Sequence, residues 1–193
     1  MRRSEKVKLM QVVAYFLRDE PSQRLNYMRL IKLIYLADRR SLEETGETMT
    51  HSRFVAMDRG PVLSELYDYI KGEYQDFPEW QRFFQKQHYE IVMREDPGIG
   101  KLSSYEAKVL QEIKEEHVDR DEFDLAEWTH KLEEWEKNKP PLGSSQEIPN
   151  EDLLEAVGRS EDIELIREQA ASRQFLASLA EGRSNECRDR FDI

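Results

Sequence analysis

The sequence predicts a mainly α-helical protein with a small antiparallel β ribbon, an α+β fold in which a compact helical core is followed by a C-terminal helical extension. Apolar residues recur at three- and four-residue steps in several segments, which is the spacing of a buried helix face. Residues 27–37 are apolar on nearly every side, as expected for a central helix. Residues 53–57 and 89–94 have the β-branched, aromatic or alternating pattern of strands, and we expect them to pair as the ribbon.

The N-terminal 46 residues predict the first two helices. One face of the first helix is apolar and consists of Val7, Met10, Ala14 and Leu17. This helix should end before Pro21, because proline is poorly accommodated inside a helix. The second begins near Tyr27, becomes polar after Asp38 and should end near Gly46. Both helices should therefore contribute to one buried core.

Lys32 is the only charged residue between Leu30 and Ala37. A lysine on an otherwise apolar helix usually packs its aliphatic stem on the core and keeps its ammonium group in water. Lys32 must therefore reach solvent with its ammonium group or find an acidic partner, and we expect the first, which is a structural role.

Residues 54–70, FVAMDRGPVLSELYDYI, place a strand pattern, a Gly-Pro pair and a helix pattern in direct succession. Gly60 should end the strand, and Pro61 suits the first position of a helix, where its missing N–H is not needed. The helix would then bury one apolar stripe, made of Val62, Leu63, Leu66, Tyr67 and Ile70. We expect a tight fold corner at Gly60, while the helix N-terminus could also accept an anion.

The C-terminal half predicts further helices. Ser103 and Glu106 form a capping box with Leu102 as its apolar staple, so a helix should run from there to about His117. Apolar residues repeat at helical spacing over 123–135, which predicts another helix.

The composition of the chain also predicts its domain organisation. Residues 139–149 have the Pro, Gly and Ser content of a linker. They separate a core domain, residues 1–138, from a helical extension, residues 150–182. The extension is expected to contain a short helix and a longer one. Residues 183–193 are expected to form a flexible tail.

Composition argues against several classes of function. The chain has 29 Lys and Arg against 40 Asp and Glu, a net charge of −11, which argues against a surface that neutralises phosphates. Nucleic-acid binding by the chain on its own is therefore not expected, and a positively charged partner fits better. The same acidity is also typical of an ordinary soluble protein, so charge alone identifies no partner. Cys187 is the only cysteine, which rules out an intramolecular disulfide or a cysteine-based zinc site and favours a reducing compartment. No apolar run reaches the length of a membrane span, so we expect a cytoplasmic protein without membrane contact.

No catalytic set can be assembled from the sequence. Glu127 and His130 are three residues apart, as in the metal-binding pairs of carboxylate-bridged helical bundles. Such sites need a second pair, and no other histidine has an acidic residue three positions before it. Ser64 lacks the pattern of a nucleophile elbow, and Cys187 lies in the predicted tail. We therefore predict no catalytic residue, cofactor or metal, and a protein that is not an enzyme.

Two stretches of the sequence match the motif of a known family. Residues 32–70, KLIYLADRRSLEETGETMTHSRFVAMDRGPVLSELYDYI, and residues 128–135, WTHKLEEW, resemble the SocA-like antitoxin family. The domain of this family is also called the Panacea domain and was formerly a domain of unknown function. The matching positions are Lys32, Leu33, Tyr35, Ala37, Asp38, Gly46, Ala56, Gly60, Pro61, Val62, Tyr67, Thr129, His130 and Trp135. The resemblance extends over residues from about 5 to 136.

The resemblance implies a non-enzymatic antitoxin of a type II toxin–antitoxin system, which binds and silences a toxin encoded beside it. Ten positions are candidates for structural or partner contacts: Lys32, Tyr35, Asp38, Gly60, Pro61, Val62, Tyr67, Thr129, His130 and Trp135. These ten are called the motif positions below. The expected mechanism is steric occlusion by the helix from residue 161 or by the ribbon edge, with acidic side chains speeding the encounter.

Three other hypotheses stay open at the level of the sequence. A phage or mobile-element protein could use similar surfaces to bind a host factor. Glu127 and His130 could serve a small metal-dependent enzyme. A DNA-binding regulator would need a basic recognition helix, which the sequence does not offer. The sequence makes no prediction of the toxin's identity or of the oligomeric state.

Overall fold

Helices make up most of the structure, and short strands connect them. The computed structural model describes residues 1–73, 75, 77–165, 167–168 and 171–172. Within these ranges the elements are α1 (Arg3–Arg18), β1 (Arg24–Asn26), α2 (Tyr27–Thr45), β2 (Phe54–Met57), β3 (Gly60–Leu63), α3 (Ser64–Lys71), α4 (Trp80–Phe83), β4 (Phe84–Gln87), β5 (Glu90–Met93), α5 (Ser104–Glu116), α6 (Glu122–Thr129), α7 (Glu133–Lys137), β6 (Ser145–Glu147) and α8 (Asn150–Ala156). The predicted fold class, mainly α with a small antiparallel β part, is confirmed.

The first two helices lie at the centre of the structure, and both were predicted. In α2, residues 30–38 are all buried. Asn26 caps this helix by accepting the Met28 N–H at 2.9 Å, and the helix ends at Gly46 as expected. Because residues 30–38 are covered on every side, the few polar side chains among them must find partners inside the protein.

The predicted corner at Gly60 is a β hairpin. A two-residue turn, Asp58 and Arg59, joins β2 to β3. The expectation that Pro61 begins a helix is wrong, because Pro61 lies in β3 and α3 begins at Ser64. Proline is tolerated in β3 because this strand is at the edge of its sheet, where one side has no strand partner. An anion site at a helix N-terminus therefore cannot lie at Pro61.

The two segments that were predicted as strands lie in different sheets. Residues 54–57 are the central strand of the order β3–β2–β6, and residues 90–93 are the central strand of the order β1–β5–β4. The prediction that these segments pair with each other is wrong. Each pairs instead with a strand next to it in the chain, because a hairpin needs a much shorter loop closure than a pairing of distant segments. The partners β3 and β4, GPVL and FQKQ, lack the alternation that would predict strands.

The helix predicted from the capping box is confirmed. At the start of α5, the Ser103 hydroxyl accepts the Glu106 N–H at 3.2 Å, and the Glu106 carboxylate accepts the Ser103 N–H at 2.8 Å. The single helix predicted over 123–135 is instead two helices, α6 and α7. The break allows His130 to stack on Trp135, which a continuous helix would prevent because residues five apart do not share a face.

The predicted linker contributes a strand to the fold. β6 lies inside residues 139–149 and pairs with β2. The next helix, α8, packs on α7 and α2, and its Leu153 and Leu154 belong to the same apolar core as α1. The division of the chain into core domain, linker and extension stays a prediction. The predicted longer helix of the extension is described only in part, and the predicted tail, 183–193, lies outside the described residues.

None of the helices within the described ranges is both long and apolar enough to cross a membrane. Their apolar faces meet in the core instead, where α1, α2, α5 and both sheets contribute buried side chains. The polar residues buried beside this core are the ones that need a specific explanation.

Candidate functional site

Three polar motif positions are buried on one face of α2. Lys32, Tyr35 and Asp38 are spaced by three residues, which places their side chains on the same side of the helix. Their exposed fractions are 1%, 0% and 0%. β3 and α6 pack on α2, so the expectation that Lys32 keeps its ammonium group in water is wrong.

Lys32 connects α2 to the β2–β3 hairpin. Its Nζ donates a hydrogen bond to the carbonyl oxygen of Pro61 at 2.7 Å. Burial lowers the pKa of Lys32 to about 7, because an ammonium group loses its hydration inside the protein. Near neutral pH this side chain is therefore divided between its charged and neutral forms.

Gly60 lies directly against Lys32. The backbone of Gly60 has φ +91°, in the left-handed region that favours glycine. A Cβ atom at this position would lie 2.6 Å from Thr129 Oγ1 and 2.8 Å from Lys32 Nζ. Only glycine therefore fits between the hairpin and the buried side chains below it.

The second stretch of the motif holds the same hairpin from α6 and α7. Thr129 is fully buried, and its hydroxyl donates to a backbone carbonyl of α6 at 2.9 Å. His130 stacks on Trp135, with ring centroids 4.2 Å apart and an interplanar angle of 18°. The Trp135 indole N–H donates to the Met57 carbonyl at 3.0 Å, and His130 hydrogen-bonds to the Asp58 backbone. These contacts clamp the turn of the hairpin.

His130 serves this clamp through its ring stacking and its hydrogen bond to the Asp58 backbone. Burial, followed by the positive charge of Lys32, lowers the pKa of His130 below 6.5. Glu127 is exposed. Across the part of the chain that the structure describes, no three His, Cys, Asp or Glu side chains are grouped to hold a metal ion. The structure therefore gives no support to a metal centre built on Glu127 and His130.

Tyr35 belongs to a second buried network that sequence reasoning missed. Its hydroxyl donates to Glu134 Oε1 at 3.0 Å, and Arg39 Nε donates to the same oxygen at 2.8 Å. Glu134 is fully buried. Burial, then the negative charge of Glu134, raises the pKa of Tyr35 well above its ordinary value. The only signal for Glu134 was its place inside WTHKLEEW, one residue before Trp135.

Asp38 fixes the loop that follows α2. Its Oδ1 accepts the backbone N–H of Met49 at 2.8 Å and of Thr50 at 3.0 Å, and its Oδ2 accepts the Thr50 hydroxyl. Burial raises the pKa of Asp38 to about 6, although these hydrogen bonds act in the opposite direction. The carboxyl group therefore acts as a buried acceptor that positions the chain entering β2.

Asp38→Ala is expected to lower the free energy of unfolding by about 3 kcal/mol, because it leaves three donors without an acceptor in a buried place. Asp38→Asn should lower it by less than about 1 kcal/mol. The amide oxygen can still accept both backbone N–H groups, and the amide N–H can donate to the Thr50 hydroxyl. Urea unfolding of both variants measures the difference. Equal losses would mean that the loop depends on the negative charge of Asp38 rather than on its acceptor geometry.

A cleft of about 760 Å³ lies where the β2–β3 turn, the β4–β5 turn and the start of α6 meet. Its buried lining residues, Ile31, Lys32 and Val62 among them, form the floor. At its rim Tyr89 is 70% exposed and Phe123 is 61% exposed. Exposed aromatic side chains around a concave surface are typical of a binding site.

The motif positions divide between the cleft and its support. Those that line the cleft are Lys32, Gly60, Val62 and Tyr67. The other six do not line it. Asp38 holds the loop after α2, and Tyr35 bonds Glu134. Pro61 lies in the hairpin, and Thr129, His130 and Trp135 support it. Sequence reasoning missed Tyr89 and Phe123, because each follows polar residues in a turn or at a helix start and only the fold brings them to one rim. The motif positions therefore form the cleft lining and the buried structure that supports it.

Charged side chains of both signs line the cleft, and they have different hydrogen-bond partners. The Asp58 carboxylate accepts the Gly143 N–H at 2.8 Å, and the Glu122 carboxylate accepts an amide N–H of Asn26 at 2.9 Å. Lys32 has a backbone carbonyl as its partner instead of a carboxylate. Each of these charged groups therefore has a neutral hydrogen-bond partner, and the Lys32 ammonium at the floor is not hydrogen-bonded to a carboxylate of the described residues.

Comparison with known proteins agrees with the motif. Residues 30–136 match the family model described as antitoxin SocA-like, Panacea domain. This range is more than half of the chain and contains all ten motif positions. Neither a curated protein nor a solved structure matches the chain significantly. The resemblance predicted from the sequence is confirmed.

Proposed function

Because the chain belongs to the SocA-like antitoxin family, with the Panacea domain over residues 30–136, we propose that it is an antitoxin that neutralises a cognate toxin by direct protein–protein binding. Membership in the family supports an antitoxin-type role and a protein that is not a catalyst. The proposed partner is a toxin protein encoded nearby, and the proposed place of action is the cytoplasm. Neutralisation would follow from covering a surface of the toxin, without any chemical reaction.

The observation that carries this proposal beyond the family is the aromatic rim of the cleft. Tyr89 and Phe123 expose large apolar surfaces on two different elements that meet at the cleft. Tyr27 lies beside Tyr89, with ring centroids 6.3 Å apart in a stacked arrangement. Aromatic side chains at the centre of an interface often supply much of its binding energy. The toxin is therefore proposed to insert part of its surface between these rings.

Rigidity of the β2–β3 turn supports the same surface. Lys32 holds the turn from α2, and Trp135 and His130 hold it from the region of α6 and α7. A surface that is already ordered loses less conformational entropy when a partner binds. In this proposal the motif positions raise affinity mainly by keeping the cleft in one shape.

The contact surface is proposed to continue onto the second sheet. A shallower depression of about 300 Å³ lies over β2, β3 and β6 and shares Met57, Val62, Tyr67 and Ser145 with the cleft. The net charge of −11 would speed the approach of a basic toxin, because opposite net charges steer association. A toxin-binding face made of both depressions replaces the helix from residue 161 and the ribbon edge as the proposed surface.

Coexpression with the neighbouring reading frames tests the function directly. Each neighbour is induced alone to find one that stops growth, and then induced together with this protein. The expected result is restored growth together with a stable complex of the two purified proteins. If growth is restored but no complex forms, neutralisation by direct binding is wrong.

If no neighbour is toxic, or if toxicity persists in the presence of this protein, the antitoxin proposal is wrong for this chain. The same cleft would then be tested against host proteins, as expected for a phage or mobile-element protein that binds a host factor. The discriminating observation is therefore growth rescue, because both kinds of protein would form complexes.

Phe123→Ala is expected to weaken toxin binding about tenfold or more, as truncation of an aromatic anchor at an interface commonly does. Thermal stability should change little, because the ring is 61% exposed in the free protein. Val118→Ala is the matched control, since Val118 is 64% exposed and does not line the cleft. Titration calorimetry with the purified toxin measures both variants. Equal affinities for the two variants would place the toxin on another face.

A further inference from the structure

We propose that the floor of the cleft receives a carboxylate group of the toxin, with the Lys32 ammonium as its cation and the rim rings packed on an apolar side chain beside that carboxylate. This inference rests on the proposed function, because the toxin is the source of the carboxylate. The group can be an aspartate or glutamate side chain or the C-terminal carboxylate of the toxin, since all three present the same chemistry.

The first argument is the incomplete bonding of Lys32. The ammonium group has three donors, and its hydrogen bond within the described ranges is the one to the Pro61 carbonyl at 2.7 Å. Burial is the cause of its lowered pKa, and the acceptor of its hydrogen bond is a backbone carbonyl rather than a carboxylate. A buried ammonium group without a counter-ion is costly, and a carboxylate from a partner would remove that cost.

The second argument is that the acidic residues of the cleft do not fill this role. Asp58 and Glu122 line the cleft but bind Gly143 and Asn26. Arg59 is exposed at the turn and adds a second positive charge at the mouth. Lys32 at the floor and Arg59 at the mouth are thus the cationic groups among the described residues that line the cleft, beside the carboxylates of Asp58 and Glu122. The cation at the floor is the group that attracts a carboxylate from a partner.

The third argument is the match of charge and shape. One buried ammonium group suits a singly charged carboxylate, whereas a phosphate group would require more cations and donors. Beside Lys32 the lining is apolar or aromatic, and it includes Tyr27, Met28 and Tyr67. A carboxylate next to an aromatic or aliphatic side chain therefore complements both parts of the cleft.

A bound carboxylate should change the ionisation of Lys32. The charged groups near it are Asp58 and Arg59 in the turn, Glu122 at the start of α6, and His130, whose pKa is already lowered. An added negative charge favours the ammonium form and raises the pKa of Lys32. Carboxylate binding should thus be strongest below pH 7, where Lys32 is charged, and should weaken as the pH rises above the pKa of the free protein.

Two small probes test this inference on the full chain without the toxin. N-acetyl-L-phenylalanine carries a ring and a carboxylate, and N-acetyl-L-phenylalaninamide differs from it only by having a neutral amide. Binding is followed by NMR of the protein with isotopically labelled lysine. At about pH 6.5 the acid should bind at least about tenfold more tightly than the amide. The Lys32 titration midpoint should rise with the acid alone, and the preference should fall at about pH 9.5.

Two variants serve as controls for the probe experiment. Lys32→Met should remove the preference for the acid over the amide, while Lys108→Gln, a change at an exposed position outside the cleft, should keep it. If Lys32→Met does not fold, the pH series on the wild-type protein decides the question. Equal binding of both probes, binding of neither, or an unchanged preference in a folded Lys32→Met variant would overturn the inference.

The outcomes for the inference and for the proposed function can be told apart. If growth is not rescued but the protein still distinguishes the two probes, the antitoxin proposal is wrong and the carboxylate site stands. If growth is rescued but the protein does not distinguish the two probes, the antitoxin proposal stands and the carboxylate site is wrong. Substituting each acidic residue of the toxin interface in turn, and amidating its C-terminus, then identifies which carboxylate enters the cleft.

Discussion

Gly60→Ala is expected to lower the free energy of unfolding by about 3 to 5 kcal/mol, through backbone strain and overpacking together. The added Cβ would lie 2.6 Å from Thr129 Oγ1 and 2.8 Å from Lys32 Nζ, closer than such atoms approach in proteins. Thr129 cannot move aside, because it is fully buried and its hydroxyl is bonded within α6. The left-handed backbone, φ +91°, adds a second penalty for any residue with a side chain.

Gly72→Ala separates these two penalties. Gly72 has φ +100°, but a Cβ there would meet no atom within 4 Å. The unfolding free energy of this control should therefore fall by only about 1 kcal/mol, which is the cost of the left-handed backbone alone. Urea unfolding of both variants measures the loss of unfolding free energy. Equal slopes of unfolding free energy against urea concentration serve as the check on two-state behaviour. Similar losses for the two variants would show that the contacts of Gly60 with Lys32 and Thr129 do not limit the fold.

Lys32→Met is expected to remove a pH dependence of stability that amounts to roughly 4 kcal/mol. In the folded protein burial lowers the pKa of Lys32 to about 7, whereas a lysine in an unfolded chain has a pKa of about 10.4. Between these two values the unfolded state binds more protons than the folded state. The wild-type protein should therefore gain stability relative to the variant as the pH rises from about 7 to about 10.

Unfolding measurements on both proteins over this pH range test the prediction. The difference in unfolding free energy should be constant below pH 7 and should increase steadily above it in favour of the wild type. Lys108→Met is the matched control, because the Lys108 side chain is 72% exposed and loses little hydration on folding. A Lys32→Met difference that stays flat with pH would mean that Lys32 keeps its ammonium hydrated.

The two effects have one structural origin. Gly60 and Lys32 lie on the two sides of a single close contact between α2 and the β2–β3 hairpin. Because Thr129 completes that contact from α6, a change at any of the three should disturb the same turn. The proposed binding of the toxin would then be lost through the shape of the cleft, even though Thr129 does not line it.

The sequence by itself determined the elements whose signals are local. The capping box of Ser103 and Glu106 predicted the start of α5, and the apolar surround of residues 27–37 predicted the central helix. Gly46 marked the end of that helix. Such signals depend on side chains within one or two helical turns, so they can be read without knowing what packs against them. The motif residues also predicted the family, because it is defined by residue types and their spacing.

Only the tertiary structure decided how these elements come together. The strand at 54–57 pairs with Gly60–Leu63 and β6, and not with residues 89–94. The fold buries Lys32, and it brings Tyr89 and Phe123 to one cleft. The pairing with β6, the burial of Lys32 and the shared cleft depend on contacts between residues far apart in the chain, which leave no periodic signal. The pairing with Gly60–Leu63 is local, but GPVL lacks the alternation that predicts a strand. Tertiary packing therefore determines which side chains of the candidate site are buried and which charges meet there. The helices that hold these side chains are determined by the local sequence pattern.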